Sequence, residues 1–168
     1  MAHYEGATAR LVRAFKYGGR DQLAELAGRA LSEAIVVSAW SGSADALVVV
    51  PTHWRHALGR RFYAPALVCG VVSRVTGIPR GQVLRRVAAG PHQFDVPRAQ
   101  RAANIRGKFA LVRGASVAGA RLCVIDDVST TGATLNECAR VLKQAGAQAV
   151  YGAVVAKVDT EWQVRGSN

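Results

Sequence analysis

The chain has 168 residues, with 22 Lys and Arg against 11 Asp and Glu and a formal net charge of +11. Half of it is hydrophobic (50%) and only 20% is charged, which excludes a disordered polyelectrolyte and suits one domain with its own core. No apolar run reaches the length of a bilayer span and the N-terminus lacks signal-peptide features, so a cytoplasmic protein is expected.

In chain order, residues 7–17 predict a helix with Leu11, Ala14 and Phe15 on one face. Lys16 and Tyr17 precede a Gly18-Gly19 turn, where a cation suits a helix C-terminus. Residues 21–37 predict a second helix on the spacing of Leu23, Leu26, Ala27, Ala30, Leu31 and Ala34. A polar connector leads to the apolar run 46–50, expected as a central parallel strand. Pro51, Thr52, His53 and Trp54 follow as a loop, and Arg55, His56, Arg60 and Arg61 add cations suited to oxyanions. Pro65 opens a third helix through Thr76, with Leu67, Val68, Val71, Val72 and Val75 toward the core, and Gly77 and Pro79 end it.

Residues 83–87 predict a strand. The stretch 88–108 is then polar and basic, containing His92, Gln93, Arg98, Arg101 and Arg106 with Asp95 as its only acid. A loop of this length inside a compact domain is functional, mobile or simply solvated. Residues 109–112 and 149–156 predict further strands, and a tail follows residue 157. The three cysteines, Cys69, Cys123 and Cys138, are scattered and are expected as buried thiols. Neither G-x-x-x-x-G-K-[ST] nor G-x-S-x-G occurs, which disfavours P-loop nucleotidases and α/β-hydrolases.

The chain is organised around Arg121-Leu-Cys-Val-Ile-Asp-Asp-Val-Ser-Thr-Thr-Gly-Ala-Thr134. Residues 121–125 predict a buried strand, followed by two carboxylates, a hydroxyl-rich loop and an amphipathic helix carrying Leu135, Cys138, Val141 and Leu142. The capping-box spacing of Thr134 and Glu137 places the helix start at Thr134. Unpaired backbone N–H groups at such a start bind phosphate, Gly132 allows close approach, and Thr130, Thr131 and Thr134 supply hydroxyl donors. Asp126 and Asp127 can accept hydrogen bonds from sugar hydroxyls or hold a divalent cation through water. A phosphate site beside a diol site describes a ribose 5-phosphate. The plainer alternative is a solvated turn whose polar groups only cap a helix.

Val124-Ile-Asp-Asp-Val-Ser-Thr-Thr-Gly-Ala-Thr134 resembles the phosphoribosyl-pyrophosphate (PRPP) loop of type I phosphoribosyltransferases. With Phe15-Lys-Tyr-Gly-Gly-Arg20, Val50-Pro-Thr-His-Trp-Arg55 and Arg101-Ala-Ala-Asn-Ile-Arg-Gly-Lys-Phe109, the chain is similar to the ComF-like group from residue 4 to 157. The resemblance implies that Asp126 and Asp127 hold the ribose diol and that Thr130, Thr131, Gly132, Ala133 and Thr134 hold the 5-phosphate. Ile125, Val128 and Ser129 complete the substrate-binding stretch. Pro51, Thr52 and His53 would hold pyrophosphate, and Lys16 would lie near the site. A flexible hood would bring His92, Arg98 and Arg101 over the leaving group, joining Asp126 and Asp127 as the catalytic set. Mg²⁺ would be bound mainly through the substrate, with Asp126 and Asp127 as the available protein ligands. The chain departs from the ComF pattern at Tyr63-Ala64, where Asn-Gln is usual, and the sequence shows no cysteine-rich zinc ribbon of the kind that often opens ComF-like chains, as in a short form or a truncated product.

The expected fold is therefore one α/β domain over residues 1–168, with N-terminal helices packed on a mainly parallel, helix-flanked sheet of the type I phosphoribosyltransferase kind. The site is expected at the carboxyl ends of strands 46–50 and 121–125. The expected function is PRPP binding, with phosphoribosyl transfer to a nitrogen nucleophile. The rivals are a non-catalytic module for DNA uptake, with single-stranded DNA or competence-machinery proteins as partners, and a PRPP-sensing regulator that binds nucleic acid. Homodimerisation is left open.

Overall fold

The apolar run 122–125 forms the first half of a nine-residue strand, Arg121–Ser129, in a computed structural model that describes residues 2–3, 21–52, 63–87 and 105–157. The elements are β1 (Ala2–His3), α1 (Asp21–Val36), β2 (Ala46–Val49), α2 (Ala64–Thr76), β3 (Arg80–Gly81), β4 (Leu84–Arg86), β5 (Phe109–Leu111), β6 (Arg121–Ser129), α3 (Ala133–Gln144) and β7 (Ala149–Lys157). Five strands make one sheet in the order β1-β7-β6-β2-β3, and every pair in it is parallel. Parallel strands need covering on both faces, and the alternation along β6 shows how that is met. Leu122 and Val124 join a cluster with Val48, Cys138 and Leu142 beneath α3. Cys123 and Ile125 join Leu47, Leu31, Val68 and Val72 beneath α1 and α2.

The ladder brings the two candidate loops together. β2 and β6 pair from Ala46 with Leu122 to Val49 with Ile125, so both strands end at the same edge. The Val50 N–H extends that ladder by donating to the Ile125 carbonyl at 3.0 Å. At the opposite edge Arg121 grips Asp45 through Nη2 and Oδ1 at 2.8 Å, which fixes where the two strands begin.

The structure corrects the expected elements in four places. The strand expected over 121–125 runs on to Ser129, because Asp126, Val128 and Ser129 pair with Val154, Ala156 and Lys157 of β7. α3 starts at Ala133 with Gly132 as its N-cap, so Thr134 lies inside the first turn and forms no capping box; the Glu137 carboxylate is taken by Gly107 and Arg140 instead. The strands expected over 83–87 and 109–112 form a separate antiparallel ladder, Leu84 to Arg86 against Phe109 to Leu111, outside the parallel sheet. β3 was not expected: it is two residues long and pairs with Leu47 and Val48.

The buried stripe of α1 is also shifted from the expected one. Ala24, Ala27, Leu31, Ser32 and Ile35 are buried, whereas Leu26 is 58% exposed. Gly28 explains the shift, because a Cβ there would collide with Val71 and the bare backbone lets α2 approach closely. Ser32 then returns its hydroxyl to the Gly28 carbonyl at 2.8 Å, satisfying its polar group inside the packed face. On α2, Val68, Val71 and Val72 are buried as expected, while Leu67 and Val75 are exposed. Cys69, Cys123 and Cys138 are free and buried, as expected.

Candidate functional site

The site is built on the polar half of β6. Asp126 and Asp127 are part of the strand, each half-buried and each folded onto the next amide. Asp126 Oδ1 accepts from the Asp127 N–H at 2.9 Å, and Asp127 Oδ1 accepts from the Val128 N–H at 2.8 Å. Placing the two carboxylates on a hydrogen-bonded strand holds them more firmly than a loop would. Ile125 is fully buried in the cluster under α1 and α2, so only its backbone can serve the site.

Beyond Ser129 the chain turns sharply. Gly132 has φ of 75°, a left-handed conformation that glycine adopts without strain, and its carbonyl accepts from the Asn136 N–H at 2.9 Å. Thr131 Oγ1 accepts from the Ala133 N–H at 3.3 Å. Apart from that Thr131 contact, no side-chain cap is made at Gly132 among the described residues, and no acidic residue lies in the first turn. The start of α3 therefore presents partial positive charge at the carboxyl edge of a central strand.

Three residues outside the expected set bear on how this region is held. Tyr63, the residue before α2, donates its hydroxyl to the Val50 carbonyl. Burial pushes its pKa well above the ordinary 10.0, and the negative fields of Asp126 and Asp127 push it the same way. Arg86 of β4 lies 5.7 Å from the centre of the Phe109 ring and partly offsets the negative field at both Tyr63 and Cys138. Burial raises the Cys138 thiol to about 12, with Asp126 and Glu137 adding to the shift.

Glu137 is the third. It is buried, at 6% exposure, and accepts from the Gly107 N–H at 2.7 Å and from Arg140 Nε and Nη2 at 2.8 and 2.6 Å. The Arg140 guanidinium holds its carboxyl below the ordinary 4.5. It thereby ties the chain entering β5 to the helix that carries the Gly132 turn. Tyr63 was signalled in the sequence as a departure from the ComF pattern. Nothing local signalled Arg86, and the local spacing of Glu137 pointed to a capping box rather than to its bond with the distant Gly107.

Of the expected site residues, the structure brings Pro51 and Thr52, at the end of β2, to the same sheet edge as residues 126–134. Lys16, His53, His92, Arg98 and Arg101 lie outside the described residues. Among the described residues no group of three or more His, Cys, Asp or Glu side chains is arranged to hold a metal ion. Two adjacent carboxylates fit Mg²⁺ that keeps most of its water and takes its other ligands from a phosphorylated substrate. No helix among the described residues is long and apolar enough to cross a membrane.

No family model matches the chain. The DNA utilization protein YhgH of Salmonella typhi is 28% identical over 158 residues, covering 89% of this chain and 67% of that protein. The protein of the same name from Salmonella typhimurium (strain LT2) matches to the same extent. Among solved structures, the glutamine PRPP amidotransferase from B. subtilis superposes with a TM-score of 0.54 at 20% identity, over 84% of this chain but only 30% of that one. A hypoxanthine phosphoribosyl transferase of Trypanosoma cruzi gives 0.52 at 11% identity, over 83% of this chain and 76% of that one. The parallel sheet flanked by helices matches the α/β fold of the type I phosphoribosyltransferases.

Proposed function

We propose that this protein binds PRPP and transfers its phosphoribosyl group to a nitrogen nucleophile with release of pyrophosphate. One observation carries the reading: two carboxylates in the ladder of a central strand, followed by a left-handed glycine at a helix start. Asp126 and Asp127 accept hydrogen bonds from the ribose hydroxyls, and the turn at residues 130–134 holds the 5-phosphate through backbone N–H groups and hydroxyls. We assign Pro51, Thr52, His53, His92, Arg98 and Arg101 to the pyrophosphate. The C1–O bond to pyrophosphate breaks with its electron pair leaving on the oxygen. A C1–N bond forms to the nucleophile, which gives up a proton. The pair of carboxylates, fixed by the strand, stabilises the positive charge that develops on the sugar. Mg²⁺, held beside Asp126 and Asp127 and by substrate oxygens, would neutralise charge on the leaving pyrophosphate. Isothermal titration with PRPP, with and without Mg²⁺, tests the reading: saturable binding strengthened by Mg²⁺ is expected, and no heat in either condition overturns it.

A second reading is a DNA-handling module without turnover. Arg80, Arg85, Arg86, Arg106, Lys108, Arg113 and Arg121 are the charged residues among the described part of 80–125, with no carboxylate between them. The curated relatives are named for DNA utilization. Single-stranded DNA binding that fades steeply with salt, in a protein that releases no pyrophosphate from PRPP, favours this reading over transfer.

A further inference from the structure

The last residue of the 46–50 run, Val50, is held at both its N–H and its carbonyl. The Val50 N–H donates to the Ile125 carbonyl at 3.0 Å, which ties it to β6 one residue before Asp126. The Val50 carbonyl accepts the Tyr63 hydroxyl, which ties it to the start of α2. Pro51 follows with a fixed φ and no N–H, so it makes no further ladder bond. The direction in which Thr52 leaves the sheet is therefore set largely by how Val50 is held.

Tyr63 is itself rigidly placed. Its backbone is extended and its carbonyl accepts from the Ala66 and Leu67 N–H groups at 3.0 and 3.2 Å, which makes it the N-cap of α2. That helix is anchored by Val68 and Val72, both fully buried. Asn, usual at this place in ComF-like chains, is a strong N-cap residue. Tyr63 forms no side-chain cap and reaches across to the strand end instead. Burial and the nearby carboxylates keep the phenol protonated, so it remains a donor at neutral pH.

We propose that Tyr63 is a positioning residue for the pyrophosphate-binding backbone at Pro51 and Thr52, acting through its hydrogen bond to the Val50 carbonyl. The inference rests on the assignment of residues 51–53 to pyrophosphate. Tyr63 touches no substrate group in this scheme. It clasps the end of β2 to α2 and so presets the geometry that the leaving group meets. The 5-phosphate turn at residues 130–134 belongs to a different element and does not depend on this clasp.

The two ends of the substrate can therefore be separated by titrating pyrophosphate and ribose 5-phosphate, each with Mg²⁺, into the wild type, Tyr63→Phe and Tyr63→Asn. Tyr63→Phe keeps the ring and removes the donor. Tyr63→Asn restores a helix cap but is too short to reach Val50. Losing one buried hydrogen bond should weaken pyrophosphate binding about five- to tenfold in both variants, with ribose 5-phosphate affinity within about twofold of wild type. A purely structural role would lower melting temperature and weaken both ligands alike. Equal loss for the two ligands, or unchanged pyrophosphate affinity, overturns the inference and leaves the PRPP reading standing. A wild type that binds neither ligand overturns both.

Discussion

Glu137 offers the most direct test of how the fold is held around the site. Removing its carboxylate by Glu137→Ala leaves the Gly107 N–H without its acceptor at 2.7 Å and Arg140 without its two bonds at 2.8 and 2.6 Å. The first bond is charge-assisted and reaches a buried oxygen, so its loss costs about 1.5–3 kcal/mol. The Arg140 pair spans one helical turn and its guanidinium is 39% exposed, so solvent screening leaves it a minor addition. The loss of the Gly107 bond alone, about 1.5–3 kcal/mol, corresponds to a fall in melting temperature of roughly 3–12 °C for a chain of this size. Glu137→Gln keeps an acceptor for Gly107 and should fall by less than half as much. The pH dependence adds a sign. The folded carboxyl sits below its ordinary value of 4.5 because of Arg140, so its contribution is fully present above pH 4.5. It is lost as pH falls through the folded value, and the wild type and Glu137→Gln should then converge. Thermal unfolding followed by circular dichroism at pH 7 and at successive acid values measures this. A Glu137→Ala shift below about 2 °C, or a gap to Glu137→Gln that widens in acid, would show that the contact to Gly107 is not what secures the chain entering β5.

Three further outcomes can be checked with simple reagents. The Asp126→Asn, Asp127→Asn double variant should lose PRPP binding by titration calorimetry while melting within a few degrees of wild type; undiminished affinity sinks the ribose assignment. Gly132→Ala should destabilise the protein by about 1–2 kcal/mol from left-handed strain, and should weaken ribose 5-phosphate binding. Crowding is not the cause there, since the nearest atom to an added Cβ is Asn136 Nδ2 at 3.7 Å; normal melting and normal affinity would refute the reasoning. Burial raises Cys69 to about 11 and Cys123 and Cys138 to about 12, so none should react with a thiol reagent at pH 8 until the protein is unfolded, and rapid labelling of the native protein contradicts that.

Much of the framework was legible because the signals were local. Pro65 and Gly77 bracketed α2 almost to the residue, and the run 122–125 marked the strand that carries the carboxylates. The rest depended on partners distant in sequence. Asp126 to Ser129 look like loop residues because strands are recognised by apolar runs, yet β7 supplies their ladder. Thr134 and Glu137 have the spacing of a capping box, but Gly107 and Arg140 compete successfully for the carboxylate. The buried side of α1 differs from the one the apolar spacing predicts because α2 packs against Gly28, a position without a side chain, and Ser32 satisfies its hydroxyl on the same face. Tyr63 stood out only as a mismatch, and its meaning came from Val50, thirteen residues earlier.

The uneven pairing of β6 has a consequence for solvent exchange. Among the described residues, 122–125 are flanked by β2 on one side and β7 on the other, while the strand pairing of 126–129 is with β7. Amide protons in the first half should exchange only when the whole domain opens, and those in the second half through smaller local openings. One strand therefore contains both a global reference and a local reporter a few residues apart. A ligand seated at the sheet edge would slow exchange in the second half first, and the ratio of the two rates would register occupancy without any enzymatic assay.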